Sequence, residues 1–307
     1  MRWYLKVAVF HIFSAMPGGK RLYRFSQERI TKGLVPSHGR VRMKMDVGWQ
    51  YWSWLKSRNL TGLLKSGTHL DFGAGWHPTI PLLFYSFGVD RQYLLDVQPL
   101  LRADLLAETT RVFREIATDP RWPHGDDLTR TPDLPKLAGD EWRAWLASLG
   151  MQYIAPYDGA TQDLTSKIDV VTSTQVFPYI SPENVSKCFR IVQDVLKPGG
   201  LFFATIHLKD FHAGTDRHVT PYNHLKFSPW WWDHMVNTKL MVFNRLKPSD
   251  YRRLLEQAGF VLEAFDVEGP SEVDLRQLDT VPIHKSFAAY SREELAAKHL
   301  FFVARKS

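Results

Sequence analysis

Between Thr68 and Asp96 a strand, a glycine-bearing turn, a helix and a second strand follow in close order, and this stretch limits what the chain can fold into. Thr68-His-Leu-Asp-Phe reads as a buried strand and Gly73-Ala-Gly75 as a sharp turn. The apolar run to Gly88 reads as a helix, and Gln92-Tyr-Leu-Leu-Asp96 as the next strand. Glycine at both loop positions lets the backbone turn and come close to a ligand, because no Cβ blocks the approach. A helix opening near Pro78-Thr79 aims its first amides at any anionic group held in the loop. Asp96 ends the second strand about twenty residues on, where an acid in a doubly wound sheet reaches a ribose diol. These features imply a nucleoside-binding half-fold. Pro78 stands where a dinucleotide fingerprint wants its third glycine, so the signal is weaker than that motif.

The remaining strands follow at spacings that imply a mostly parallel sheet. Asp169-Val-Val-Thr-Ser173 is a short buried strand, and Gln152-Tyr-Ile-Ala155 precedes it. Ser181 as N-cap and Pro182 as first helical residue open a helix to Leu196; Lys197-Pro-Gly-Gly200 stops it, and Leu201–Ile206 is the next strand. Ser249 is expected to cap a helix ending at Ala258-Gly259. Phe260–Val267 is a strand, Ser291-x-x-Glu294 a capping box, and His299–Ala304 a last strand, the final pair antiparallel. Ligands of such sheets sit at the carboxyl ends of the strands, where Gly73, Asp96, Asp158, Ser173 and His207 all fall.

Two long insertions interrupt this order, at about 98–150 and 207–248, and such insertions near strand ends serve as lids or binding elements. The second is rich in His and aromatic residues, including Trp230-Trp-Trp232, of which one or two are expected to close a pocket while the rest pack on the core. Residues 1–66 form a separate helical segment, with helices expected over Met1–Ala15, Leu22–Lys32 and Met43–Arg58 and a break at Pro36-Ser-His-Gly39. The first is apolar over a wide arc, with Trp3, Val7 and Phe10 on one side and Leu5, Val9, Ile12 and Met16 on another. A lid over a pocket is the preferred reading, and peripheral membrane attachment the second. The tryptophans Trp49, Trp52 and Trp54 read as core.

Charge divides the chain in the same place. Residues 1–66 hold 13 Lys or Arg against Glu28 and Asp46, a net +11, so the remainder carries about −4 of the overall +7. A basic segment of this kind suits a nucleic acid, an anionic membrane surface, a phosphorylated substrate, or simply a solvated face. The lone Cys188 excludes an internal disulfide and a cysteine metal cage, and it reads as inert core in a reducing compartment. Lys6 and His11 interrupt the first apolar segment, no small-x-small cleavage pattern follows, and no apolar run reaches about 18 residues, so a cytoplasmic location is expected.

Leu70-Asp-Phe-Gly-Ala-Gly75, the strand-end Asp96, Asp169-Val-Val-Thr-Ser173 and Val195-Leu-Lys-Pro-Gly-Gly-Leu-Phe-Phe stand in the order found in one superfamily. The tail from Leu254-Leu-Glu-Gln-Ala-Gly-Phe to Leu300-Phe-Phe-Val-Ala-Arg continues it. The combination resembles the class I S-adenosylmethionine (SAM) dependent methyltransferases over most of Gly67–Arg305. The resemblance implies an α/β fold with a Rossmann-like seven-stranded sheet, order 3-2-1-4-5-7-6. To this the chain adds its N-terminal helical lid (1–66) and two cap insertions in a SAM-binding region (67–307). It further implies that Asp71, Gly73 and Gly75 cradle the amino-acid part of SAM, that Asp96 binds the ribose hydroxyls and that Asp158 stands at the adenine edge. Ser173 and Thr174 would border the pocket near the sulfonium, and Trp76 and His77 its carboxylate end. Two departures stand out. Pro178-Tyr179 replaces the Glu-His that many small-molecule relatives carry after the fourth strand. The Asn/Asp-Pro-Pro-aromatic signature of nucleobase amine methylation is missing, which argues against a nucleic-acid substrate.

Transfer from a sulfonium needs an aligned nucleophile, exclusion of water and, for some acceptors, a base. His207 leaves the fifth strand beside the expected methyl position with Asp210 and His212 close behind, and Tyr179 could contact the sulfonium with its ring or phenol. His207, Tyr179 and His212 are therefore the candidate catalytic residues; the opposing reading makes them pocket-wall or cap groups. The histidine spacings match no zinc pattern, so no metal is expected. Three readings follow. In the first, a methyltransferase acts on a small-molecule or glycan-type acceptor. In the second, an enzyme of the azetidine-2-carboxylate synthase type cyclises SAM itself and releases methylthioadenosine. In the third, a non-catalytic nucleoside-binding protein carries a basic arm for membrane or RNA.

Overall fold

The computed structural model describes residues 2–19, 34–134, 141–157, 163–238 and 240–307. Its strands are β1 (His69–Phe72), β2 (Gln92–Leu95), β3 (Met151–Ile154), β4 (Ile168–Thr174), β5 (Leu196–His207), β6 (Phe260–Glu268) and β7 (His299–Lys306). They form one seven-stranded sheet in the order β3-β2-β1-β4-β5-β7-β6, the order that the resemblance implies. β1 runs parallel to both β2 and β4, with Asp71 level with Leu94 on one side and Thr172 on the other, and β2 runs parallel to β3. The longer helices are α1 (Trp3–Ala15), α2 (His38–Lys56), α3 (Thr79–Ser86), α4 (Ala103–Ala117), α5 (Glu141–Ser148), α6 (Pro182–Val195), α7 (Pro248–Gln257) and α8 (Glu272–Asp279).

Two compact units divide the chain. The first takes Met1–Lys32, Gln175–Arg190 and Ala204–Phe302, and the second Gly33–Thr174, Ile191–Phe203 and Val303–Ser307. In the second unit α2 packs on α3 and α4. Gly48 makes the first of these contacts close: a Cβ there would lie 2.7 Å from Leu83 Cδ2 and 3.0 Å from Ile80 Cδ1. Trp52 and Trp54 are buried, as core residues should be, with Trp52 stacked on Phe87 at 4.5 Å. In the first unit α1 buries Val7 against Trp232, Val236 and Phe243 of the second insertion. Tyr222, Leu225, Leu278, Phe287 and Leu295 form a separate cluster under α8.

Several boundaries differ from the sequence expectation for local reasons. α2 begins at His38 rather than Met43: Ser37 caps it, its hydroxyl accepting the Arg40 amide at 3.4 Å, and Gly39 is carried inside the first turn at a propensity cost of about 1 kcal/mol. β5 begins at Leu196 rather than Leu201. The Lys197 ammonium, paired with Asp169 of β4 at 2.8 Å, ties the expected stop segment beside the neighbouring strand. α7 begins at Pro248, so Ser249 lies within the helix; the Lys247 amide is held by the Asp250 carboxylate at 2.9 Å, which fixes the start two residues earlier. Ser291 does accept the Glu294 amide, but the Glu294 carboxylate turns to the Ser249 amide, so only half of the expected capping box forms there. A full box forms instead at Ser271 and Asp274, which starts the unanticipated α8. The expected helix at Leu22–Lys32 lies outside the described residues.

Candidate functional site

The loop after β1 is held by its neighbour strand. Gly73 and Ala74 both donate their amides to the Leu95 carbonyl at 2.9 Å, and Gly73 and Gly75 sit at φ +81° and +66°. A Cβ at Gly75 would meet nothing nearer than Gly73 O at 3.9 Å, so glycine is required there for backbone conformation rather than for space. Asp96, one residue past β2, accepts the Gly75 amide on Oδ2 at 3.0 Å and the Gln98 amide on Oδ1 at 2.9 Å. Burial raises its pKa while those amides pull the other way. Each carboxylate oxygen keeps a second acceptor site for a diol.

Asp71 is buried at the end of β1. It accepts the Thr172 hydroxyl at 3.2 Å, and burial pushes its carboxyl up to about 6 against the opposing pull of Lys44. Lys44, on α2, is itself enclosed; its ammonium donates to the His77 carbonyl at 3.1 Å, and burial and Arg40 lower its pKa while Asp71 raises it. His77 bonds Thr109 through Nδ1 at 3.0 Å, its pKa pushed down to about 3 by burial, with Lys44 and Arg40 adding to the effect. The Ser173 hydroxyl donates to the Phe72 carbonyl, and Tyr51 of α2 reaches both the Ser173 carbonyl and the Thr174 hydroxyl. The structure thus brings Asp71, Gly73, Gly75, Asp96, Ser173 and Thr174 to adjoining strand ends; Asp158 lies outside the described residues. Lys44 and Tyr51 were missed by sequence reasoning. Arg40 and Lys44 stand one helical turn apart on α2, a spacing that was readable.

These groups fit SAM. A half-buried acid at the second strand end suits the ribose diol. An acid and an enclosed ammonium side by side at Asp71 and Lys44 suit a zwitterionic amino-acid tail, and the glycine turn leaves room beside them.

In the first unit, Tyr179 Oη lies 2.9 Å from His207 Nε2. The His207 ring stacks on Phe243 at 5.6 Å, and Tyr179 meets Phe211 and Phe243 edge-on. Burial pushes His207 down to about 4 and Tyr179 up to about 12, so both are uncharged at neutral pH. Gln175 anchors this end of β5: its side-chain oxygen accepts the His207 amide at 2.8 Å, from a backbone held at φ +59°, a conformation that costs a side-chain-bearing residue about 1–3 kcal/mol. Asn244 holds the Tyr179 turn, donating to the Phe177 and Ile180 carbonyls at 2.6 and 2.7 Å.

His212 lies one ring further on, buried against Phe211 and Trp3, with its Nδ1 unpartnered among the described residues and its pKa pushed down to about 4 by burial. His224 is fully buried 3.1 Å from the Lys247 ammonium nitrogen, whereas His218 and His234 are exposed. Of the three tryptophans, Trp232 is core, Trp231 stacks on Phe227 at 4.2 Å and Trp230 is exposed. Cys188 is half-buried, its thiol pushed up to about 11. A cavity of about 990 Å³ in this unit is lined by His11, Asn237, Asn244, Arg245, Asp250 and Tyr290 among others. Among the described residues no three His, Cys, Asp or Glu side chains converge as a metal centre requires.

A family model described as a methyltransferase domain matches residues 50–264. No curated protein matches the chain. Among solved structures the chain is similar to an S-adenosylmethionine dependent methyltransferase from Mesorhizobium loti, at 15% identity over 82% of this chain and 96% of that one, with a TM-score of 0.42. It is also similar to a SAM-dependent methyltransferase from Methanosarcina mazei, at 16% identity over 78% of this chain and 92% of that one, again with a TM-score of 0.42.

Proposed function

The chain belongs to the methyltransferase domain family, with S-adenosylmethionine as its cofactor, and on that footing we propose that it methylates an oxygen or nitrogen of a small-molecule or glycan-type acceptor. When bound, the cofactor supplies an electrophilic methyl group on a good leaving group. Asp96 would hold the ribose hydroxyls, Asp71 the α-ammonium and Lys44 the carboxylate, and the turn at Gly73–Gly75 would let the backbone approach.

The observation that supports an acceptor most directly is the His207–Tyr179 pair. An imidazole held uncharged can take a proton, and a phenol beside it can hand over or orient one. An acceptor O–H or N–H that replaces the Tyr179 hydroxyl at His207 Nε2 would give up its proton there, which frees its lone pair for alkylation. Methylation of the acceptor would leave S-adenosylhomocysteine as the other product, and His207 would return the proton to water.

The test is the purified protein with SAM, alone and with a panel of sugars, phenols and amines, products resolved by mass spectrometry. S-adenosylhomocysteine released only with an acceptor, and lost in His207→Ala, is the expected result. Methylthioadenosine with a cyclised amino acid from SAM alone would replace the acceptor reading with self-cyclisation. SAM bound without turnover on any member of the panel counts against both.

A further inference from the structure

A surface helix of a soluble protein normally turns its apolar stripe inward and its polar face to water. α1 does the first and not the second. Trp3, Val7 and Phe10 face inward, and Lys6 lies 4.2 Å over the Phe211 ring. On the opposite side Leu5, Val9, Ile12 and the capping Met16 recur at intervals of four, three and four residues, which puts them within one narrow arc. Their exposures are 50, 37, 58 and 46%. No acidic residue lies in the helix. The patch continues onto the second insertion, where Met235 is 47% and Trp230 64% exposed and the Met235 carbonyl bonds His11 of α1 at 3.0 Å. An apolar surface of this extent marks an interaction site.

We propose that this face of α1, with Trp230 and Met235, docks on the anionic surface of a phospholipid bilayer. Charge selects that occupant. Residues 1–32, the stretch of this unit that includes the helix, hold seven Lys or Arg against Glu28, a net +6, so a negative surface attracts this segment. Thirteen residues of helix extend about 20 Å, too short to cross a bilayer, and no described helix is long and apolar enough to do so. The helix therefore lies in the plane of the interface, its apolar stripe among the acyl chains and Trp230 at headgroup level. An apolar stripe paired with a basic segment supplies the two signals that stable attachment needs. The proposal is independent of the acceptor reading and stands or falls without turnover.

The full chain is sedimented with vesicles of phosphatidylcholine alone and with about one-third phosphatidylglycerol. Partition onto the anionic vesicles only, weakened by salt and accompanied by a blue shift of tryptophan emission, is the expected result. Leu5→Glu combined with Ile12→Glu changes two solvent-facing positions and should cut that partition about tenfold or more with an unchanged thermal melt. Val273→Glu, on the exposed face of α8, should leave it unchanged. Equal partition onto both lipids, equal loss in the Val273 variant, or a solution dimer that the double variant dissolves would overturn the proposal. Retention on RNA in place of vesicles would overturn it too.

Discussion

The Asp96 carboxylate accepts the Gly75 amide at 3.0 Å, so the residue expected to hold the ribose also holds the turn expected to receive the rest of the cofactor. Replacing it tests both roles at once. Asp96→Ala removes two charge-assisted hydrogen bonds within the chain and the diol acceptor, and SAM affinity should fall about ten- to a hundredfold, on the basis of roughly 1.5–3 kcal/mol for one charged hydrogen bond to the ligand. Asp96→Asn keeps the shape but sets an amide N–H against the Gly75 or Gln98 amide, and it should recover little. Titration calorimetry reads the result; unchanged affinity in Asp96→Ala would remove Asp96 from the binding site.

Asp71 should make cofactor binding depend on pH. Its carboxyl is raised from 3.8 to about 6, chiefly by burial. Between those two values the folded chain keeps a proton that the unfolded chain has released, so stability falls as pH rises through the window. A ligand ammonium prefers the ionised carboxylate, so SAM affinity should climb across the same interval. Thermal melts and calorimetry at pH 5 and pH 7 check both slopes, and Asp71→Asn should flatten both. A slope in SAM affinity that survives the substitution would assign the titration to another group.

The legible part of the fold was the part in which local chemistry and tertiary context agree. The glycine turn, Asp96 at its strand end and the β-branched Asp169–Ser173 strand each announce themselves within a few residues, and the sheet order came from the family resemblance that they carry. The misread boundaries were those decided by a partner distant in sequence. Lys197 extends β5 because Asp169 is beside it, and Glu294 abandons its own cap because the Ser249 amide is nearer its reach. The site shows the same division. Gly73, Gly75 and Asp96 lie on the motif, whereas Lys44 and Tyr51 come from α2, twenty residues or more upstream, and only the packing of α2 on α3 and α4 brings them in.

Asn244 is a single point of failure for the Tyr179 turn. It donates to the Phe177 and Ile180 carbonyls, its own amide donates to the Pro178 carbonyl at 2.8 Å, and its side-chain oxygen accepts the Leu246 amide and the Tyr251 hydroxyl. Asn244→Leu would keep the branching and leave the four partners of the side chain unpaired, at a cost of about 2–4 kcal/mol. Urea unfolding should show the lower midpoint. A loss below about 0.5 kcal/mol, the ordinary range for an exposed surface change, would mean that the turn is held by packing instead.

The roles of His207 and Tyr179 separate kinetically once an acceptor is in hand. His207→Ala removes the proton acceptor and should lower kcat by about 10²–10⁴-fold while leaving SAM affinity within about twofold of the parent. Tyr179→Phe keeps the ring against Phe211 and Phe243 and deletes only the hydroxyl. If the phenol merely orients the imidazole, the loss should be about tenfold and the double variant no worse than His207→Ala alone. Because the His207 pKa is depressed to about 4, the parent imidazole stays unprotonated down to that pH, and its own acid limb should lie there rather than near the ordinary histidine value. An acid limb near 6 that disappears in Asp71→Asn belongs to the cofactor site; one that disappears in His207→Ala would mean that an acceptor restores the imidazole to its normal basicity.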